Sequence, residues 1–209
     1  MPSLDWNRKW GRMIESFVPN REEEHFGDRW GDPKLFKPLL AVRKRFLDPY
    51  LAPGQVVLEI GSGGGRWTQY LLRSADRVIV VELNPEFFAY LLQRFPRDAG
   101  RLELYQTSGY EMRGVPDGTV DLVFSFDVLV HIDPEGIAGY LAETRRVLRP
   151  GGRAVLHYGD IDKPIAHANR GFSRMTRARM EALLAQAGLR ILDHDTELLF
   201  HSNLVAVET

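Results

Sequence analysis

The chain has 209 residues, 44% hydrophobic and 26% charged, with a formal net charge of −1. That fits one sizeable globular domain with a decorated end, and nothing in the charge total points to a nucleic-acid or membrane surface. Cysteine is absent, which excludes disulfides, thiolate nucleophiles and cysteine metal sites. The start carries no signal-like apolar core, and no apolar run reaches the ~20 residues of a membrane helix, so a cytoplasmic protein is expected.

Residues 1–30 interleave Trp6, Trp10 and Trp30 with Arg8, Lys9, Arg12 and a charge run over 21–24. Leu4, Trp6, Trp10, Met13, Ile14 and Phe17 approximate a helical stripe that Pro19 ends. The stripe fits either a helix packed on the core or a lid whose tryptophans wall a ligand. The charge run reads as a solvated face. Asp32 and Pro33 have the chemistry of an N-cap and a first helical position, for a helix over about 34–47. The expected division is a helical cap over 1–50 and a ligand-binding domain over 51–209.

Residues 56–66 read VVLEIGSGGGR. Val56, Val57, Leu58 and Ile60 form the near-continuous apolar run of a buried parallel strand. Gly61, Gly63, Gly64 and Gly65 follow at once, and then a helix over 67–73. Glycines there let the backbone approach a ligand with no Cβ in the way. The next strand, 77–81, ends in Glu82, twenty-one positions after Gly61 (82 − 61). A carboxylate at that place can accept hydrogen bonds from both hydroxyls of a ribose. A dinucleotide fingerprint needs a glycine at position 66. The chain has Arg66, and the pattern that fits is Glu59-x-Gly61-x-Gly63-x-Gly65.

On these residues the sequence resembles the class I S-adenosylmethionine (SAM)-dependent methyltransferases, whose first motif is an acidic residue followed by G-x-G-x-G. The resemblance implies an α/β fold: a Rossmann-like, doubly wound, mostly parallel seven-stranded sheet with an antiparallel C-terminal hairpin and an N-terminal helical cap. It implies S-adenosyl-L-methionine as cofactor, held by Glu59, Gly61, Gly63, Gly65, Glu82 and Leu83. The chemistry agrees. A pyrophosphate wants N–H donors at a helix N-terminus, whereas SAM carries an amino acid and a sulfonium, which an acid such as Glu59 suits, directly or through water.

Farther along, Asn84 and Pro85 open a helix with Phe88, Leu91, Leu92 and Phe95 on one face, stopped by Pro96. A third strand, 101–106, leads into Thr107-Ser108-Gly109-Tyr110-Glu111. Many members of the resembling family carry an aspartate hereabouts on the adenine amino group. This chain has none, so the contact falls to Gly109 and Tyr110 or to Glu111, with loop packing the alternative for Tyr110. A fourth strand, 120–124, runs into Ser125, Phe126, Asp127 and His131. The carboxyl end of that strand faces cofactor and substrate in the family. Ser125 and Phe126 are therefore assigned to the cofactor, Asp127 and His131 to the chemistry. Histidine has the intrinsic pKa of a general base, although a lone one is more often a packed residue.

Asp133 and Pro134 start a helix with Ile137, Tyr140, Leu141, Thr144 and Leu148 along one face, and residues 146–152 (RVLRPGG) resemble the family's turn into strand five. That strand, 153–158, presents His157 and Tyr158 at the same sheet edge. Residues 161–173, with His167, Asn169 and Arg170, read as an irregular substrate-facing flap. Thr176 caps a helix that Gly188 closes. The last two strands, 189–193 and about 199–207, bring His201 near the sheet edge.

The expected activity is methyl transfer to a small molecule, a sugar or natural-product hydroxyl ahead of an amine. His131 or His157 would be the base, and Asp127 would orient the acceptor. The small-molecule acceptor is the expected partner of a monomer or homodimer, with no nucleic acid and no membrane. The alternatives are a nucleotide-dependent oxidoreductase, which Arg66 argues against, and a non-catalytic SAM-binding scaffold. No metal is expected, because His131, His157, His201 and Asp127 lack zinc-like spacing.

Overall fold

The structure is a computed structural model and describes residues 4–20, 24–169 and 171–209, without the side chains of 4–8 and 29. The side chain of Trp6, the charges at 21–23 and Arg170 lie outside the described residues. Five strands run parallel: β1 (Val56–Ile60), β2 (Arg77–Glu82), β3 (Leu102–Gln106), β4 (Val120–Leu129) and β5 (Leu148–Gly159). With β6 (Arg190–Asp195) and β7 (Ser202–Glu208) they make a seven-stranded sheet of order β3-β2-β1-β4-β5-β7-β6. β7 is antiparallel to both β5 and β6. The chain winds outward from β1 in one direction and from β4 in the other. That leaves a crevice at the carboxyl ends of β1 and β4, where open α/β sheets bind ligands.

Seven α-helices lie among the described residues: α1 (Leu4–Glu15), α2 (Lys37–Val42), α3 (Thr68–Leu71), α4 (Glu86–Arg94), α5 (Pro134–Val147), α6 (Pro164–Ala168) and α7 (Arg177–Gln186). Alternate strand residues go to opposite faces. Leu58, Ile60, Ile79, Val81 and Val123 pack under Ile137 and Leu141 of α5 and Met180 and Leu184 of α7. Val57, Val78, Val80, Leu122 and Phe124 pack under α2, α3 and α4. Burial on both faces is the reason these strands are apolar nearly throughout. A third, smaller cluster of Ile14, Phe26 and Phe87 seats α1 on α4.

Several boundaries differ from the sequence expectation. Asp32 forms a turn instead of capping a helix: its carbonyl accepts from Leu35 and Phe36 (3.0 and 2.8 Å) and its Oδ1 from the Lys34 N–H (2.8 Å). α2 therefore begins only at Lys37, and it passes into a wide π-helical turn over Arg43–Leu47. α4 is entered through Pro85, and Phe87 and Leu91 are its buried residues while Leu92 is exposed, so its inward face is turned from the expected stripe. The 161–173 flap contains the short helix α6. Thr176 caps α7 as expected, its Oγ1 accepting from the Arg179 N–H at 3.2 Å. β4 and β5 run past their expected ends, β4 through an irregularity between Ser125 and Leu129.

Gly136 and Gly139 of α5 seat the ring of Tyr110, and a Cβ at Gly136 would lie 2.4 Å from Tyr110 Cε1 and 2.7 Å from Ile132 Cγ2. Alanine favours a helix over glycine by ~1 kcal/mol, but overpacking costs ~1–3 kcal/mol. Gly136→Ala is therefore expected to destabilise the fold in urea unfolding by up to about 2 kcal/mol net. A stabilised variant would show that Tyr110 does not pack there.

Candidate active site

The glycine turn after β1 is four glycines with different duties. A Cβ would lie 2.3 Å from Val128 Cγ2 at Gly61, 2.1 Å from the Phe26 carbonyl oxygen at Gly64 and 2.6 Å from the Phe95 ring at Gly65. At Gly63 (φ +51) it would meet nothing within 4 Å. Gly63 thus faces open space, and the other three let the protein close around the turn.

That space is a cavity of about 570 Å³ across the carboxyl ends of β1, β2 and β4, a size usual for small-molecule sites. Gly61, Gly63, Glu82 and Leu83 all line it. Glu82 ends β2 with Oε1 accepting from the N–H of Leu83 (2.7 Å) and Asn84 (3.2 Å), while Oε2 has a long contact with the Gly63 N–H (3.5 Å). Burial raises its pKa and these backbone bonds oppose the rise. A carboxylate oxygen so weakly engaged is available to a ribose hydroxyl. Past it, Thr107 and Tyr140 line the cavity.

Across the cavity the end of β4 folds back. Asp127 has φ 62, the one non-glycine positive φ among the described residues, a conformation aspartate tolerates better than most. Its N–H donates to His157 Nδ1 at 3.0 Å, its Oδ1 lies 3.3 Å from the same nitrogen, and its Oδ2 accepts from Arg66. Burial would raise the Asp127 carboxyl, but His157 and Arg66 outweigh it and hold it well below the usual carboxylate range. The other terminal nitrogen of Arg66 is buried without a partner, a spare donor on a residue that lines the cavity.

His131 lines the cavity, and its Nδ1 lies 2.7 Å from the Gly171 carbonyl. Only an N–H can donate there, so the lone pair of the neutral ring is at Nε2. Burial lowers the His131 pKa, with the Gly171 bond and the Asp127 charge opposing. The ring lies 5.9 Å from Trp10 and 5.7 Å from Phe172, and Trp10 meets Trp30 edge to face at 5.7 Å. Phe126 also lines the cavity, stacked on His157 at 4.1 Å.

Seven sequence-assigned residues do not line the cavity. His157 is fully buried behind Phe126, so it touches no acceptor directly. Ser125 is fully buried, its Oγ 3.4 Å from the Ile60 carbonyl. Gly65 backs onto Phe95, and the Gly109 carbonyl accepts from Tyr140 at 2.8 Å. Tyr110 has the loop-packing role, against α5. Glu111 binds back to the N–H and hydroxyl of Ser108 (3.1 and 2.5 Å), so it is committed to its own turn. Arg66, Thr107, Tyr140, Phe172 and His201 do line the cavity. Arg66 entered the sequence argument only as a missing glycine, and Tyr140 only as one of a core stripe. Among the described residues, no group of three or more His, Asp or Glu is placed to hold a metal ion.

Glu59, the seventh, sits behind the turn and accepts from Thr68 Oγ1 at 2.6 Å. Burial pushes its pKa from 4.5 up to about 7, against the Thr68 bond. Below pH 4.5 both states hold the proton, and between 4.5 and about 7 only the folded state keeps it. Stability therefore falls as pH rises through that window, by about 3 kcal/mol in full. Glu59→Gln keeps the acceptor for Thr68 and is expected to remove this slope from unfolding curves taken at several pH values. Parallel wild-type and variant profiles would refute the raised pKa.

Residues 58–156 match the methyltransferase domain family. A protein described as an uncharacterized 37.1 kDa protein in a Streptomyces fradiae transposon is 30% identical over 175 residues, spanning 78% of this chain and 48% of that one. The chain spans about half the length of such curated relatives. A SAM-dependent methyltransferase from Mesorhizobium loti superposes with a TM-score of 0.69 at 15% identity, covering 85% of this chain and all of that one. Geranyl diphosphate C-methyltransferase from Streptomyces coelicolor, solved with S-adenosyl-L-homocysteine, gives 0.70 at 14% identity over 99% of each chain. The matched segment runs from the strand before the glycine turn to the strand holding His157, and the chain shares its fold with these solved SAM-dependent methyltransferases.

Proposed function

We propose that this chain methylates a hydroxyl of a small molecule. The observation that carries the reading is His131, a neutral imidazole on the cavity wall whose tautomer leaves its lone pair at Nε2. When bound, SAM supplies an electrophilic methyl group on a sulfonium. The residues present fit it: Gly63 leaves the space a Cβ would fill, and Glu82 keeps Oε2 for the ribose. Arg66 has a spare donor for the carboxylate of the amino-acid end. His131 takes the hydroxyl proton as the oxygen attacks. Asp127, held ionised, orients the acceptor and steadies the imidazolium that forms.

Residues 1–50 act as a cap. Trp10 beside His131, with Trp30 against it, excludes water from the reacting groups. Trp10, Trp30, Phe36 and Phe172 give the wall its aromatic character, which favours an acceptor with a ring or apolar face, a natural-product hydroxyl or the flat side of a sugar. The nicotinamide alternative has no support from the geometry, because Arg66 fills the position of the third fingerprint glycine and is tied to Asp127.

Calorimetry on the purified chain tests the cofactor. SAM and S-adenosylhomocysteine are expected to bind and NAD is not. Glu82→Ala should weaken SAM by about 1.5–3 kcal/mol, roughly ten- to a hundred-fold, and Gly63→Val should abolish binding. NAD binding in place of SAM would overturn the reading. In an acceptor screen, His131→Ala is expected to cut turnover of a hydroxyl acceptor by about 10²–10⁴-fold, with SAM affinity little changed. Equal losses in both would make His131 structural, and unchanged turnover of the hydroxyl acceptor would overturn its role as the base.

A further inference from the structure

A second histidine, His201, also lines the cavity, and the structure dictates its hydrogen-bond polarity. The Asp127 backbone N–H can only donate, and it donates to His157 Nδ1 at 3.0 Å. Neutral His157 must then carry its proton on Nε2, which lies 2.6 Å from Ser202 Oγ. If His157 gains a second proton, Nδ1–H turns to Asp127 Oδ1, 3.3 Å away, and Nε2 still donates. The Ser202 hydroxyl is buried, and its other neighbour is His201 Nδ1 at 2.5 Å. Were His201 to donate as well, the buried Ser202 proton would have no acceptor among the described residues. Ser202 therefore donates to His201 Nδ1, and the His201 proton sits on Nε2.

His131 is wired the other way, because its Nδ1–H is spent on the Gly171 carbonyl. The two imidazoles flank one ring, with Phe172 centred 5.7 Å from His131 and 5.0 Å from His201. We propose that the cavity selects its acceptor through two histidines of opposite polarity. His131 accepts from the hydroxyl to be methylated, and His201 donates from Nε2 to a second oxygen of the same molecule that carries no proton, a carbonyl or an ether. The inference rests on reading this cavity as a site of hydroxyl methylation.

The groups around His201 keep it a neutral donor. Burial and the His157 ring lower its pKa, Asp127 opposes them, and Lys163 and His131 lower it further. Lys163 also fixes the approach to β7, its Nζ donating to the carbonyls of Thr196 (2.6 Å), Leu199 (2.8 Å) and Ser202 (2.7 Å). The Asp127 N–H thus sets, through His157 and Ser202, what His201 can offer a ligand. His157 and Ser202 are positioning residues that touch no ligand.

Nitrogen-15 NMR on the full chain labelled at histidine reads each tautomer directly. At pH 7.5 the expected protonation is Nε2 for His201 and His157 and Nδ1 for His131. Ser202→Ala should release His201 to a mixture of tautomers, and Ser202→Thr, which keeps a hydroxyl, should hold it. If Ser202→Ala fails to fold, the wild-type spectrum decides alone: a proton on Nδ1 of His201 or on Nε2 of His131 overturns the proposal. For any acceptor that turns over, removing the second oxygen should cost roughly ten- to a hundred-fold in kcat/KM, since a buried donor is left unpaired. Equal turnover of the analogue with a lone hydroxyl also overturns it. S-adenosylhomocysteine binding to the same labelled sample tests the methyltransferase reading separately. The expected tautomers without that binding would sink the reading, and wrong tautomers with binding intact would sink this inference alone.

Discussion

One backbone N–H, that of Asp127, orders the chemistry of the cavity. Its left-handed backbone at the end of β4 turns the amide toward His157 of β5, while the carboxylate reaches Arg66, beyond the glycine turn. Four pieces of the chain (turn, β4, β5 and β7) are joined through a single residue in a conformation that costs free energy. The cost is offset by the charge-assisted hydrogen bond to Arg66, which is stronger than a neutral one. The Arg66 guanidinium holds the Asp127 carboxylate ionised against its burial.

The glycine turn illustrates how a motif merges separate physical demands. Gly63 faces the cavity, and Gly61, Gly64 and Gly65 answer to Val128, the Phe26 carbonyl and Phe95. Three of the four let protein approach protein, and Gly63 alone faces nothing but open space. Arg66 follows at once, buried, with its guanidinium 5.7 Å from the Phe126 ring centroid. A glycine at 66 would give up the Asp127 partner, so the departure from a dinucleotide fingerprint and the stability of the β4 end have one cause.

What the sequence made legible follows from periodicity and punctuation. The apolar runs of β1 and β2, the turn glycines, Glu82 and the Thr176 cap all act locally, and each is where the pattern puts it. Of the residues assigned to the cofactor, Gly61, Gly63, Glu82, Leu83 and Phe126 line the cavity. Asp127 and His131, assigned to the chemistry, line it too, whereas Phe172 was unassigned and His201 was placed only near the sheet edge. Phe172 sits in a segment with no period, and His201 reaches the cavity because β7 lies beside β5 in the sheet order. His157 and Ser125 looked accessible because strand ends face the crevice, yet alternation along a strand sends every second side chain inward. The bulge that turns Asp127 is a tertiary feature, invisible to propensity.

On the proposed reading, the distribution of charge in the cavity suits the reaction it would host. A sulfonium and a neutral hydroxyl enter, and a positive charge must leave with the proton. Apolar walls disfavour charge anywhere except beside an anion. Asp127 is that anion, and its field is one of the influences raising the His131 pKa against the effect of burial. The proton taken by His131 therefore moves toward the carboxylate that orients the acceptor. The same residue, through its N–H, makes His201 a donor without charging it. A second cation is thereby kept away from the cofactor's own. One aspartate in an unusual backbone conformation thus supplies the counter-charge for the base and the polarity of its partner, and neither function survives moving it by a residue along the strand.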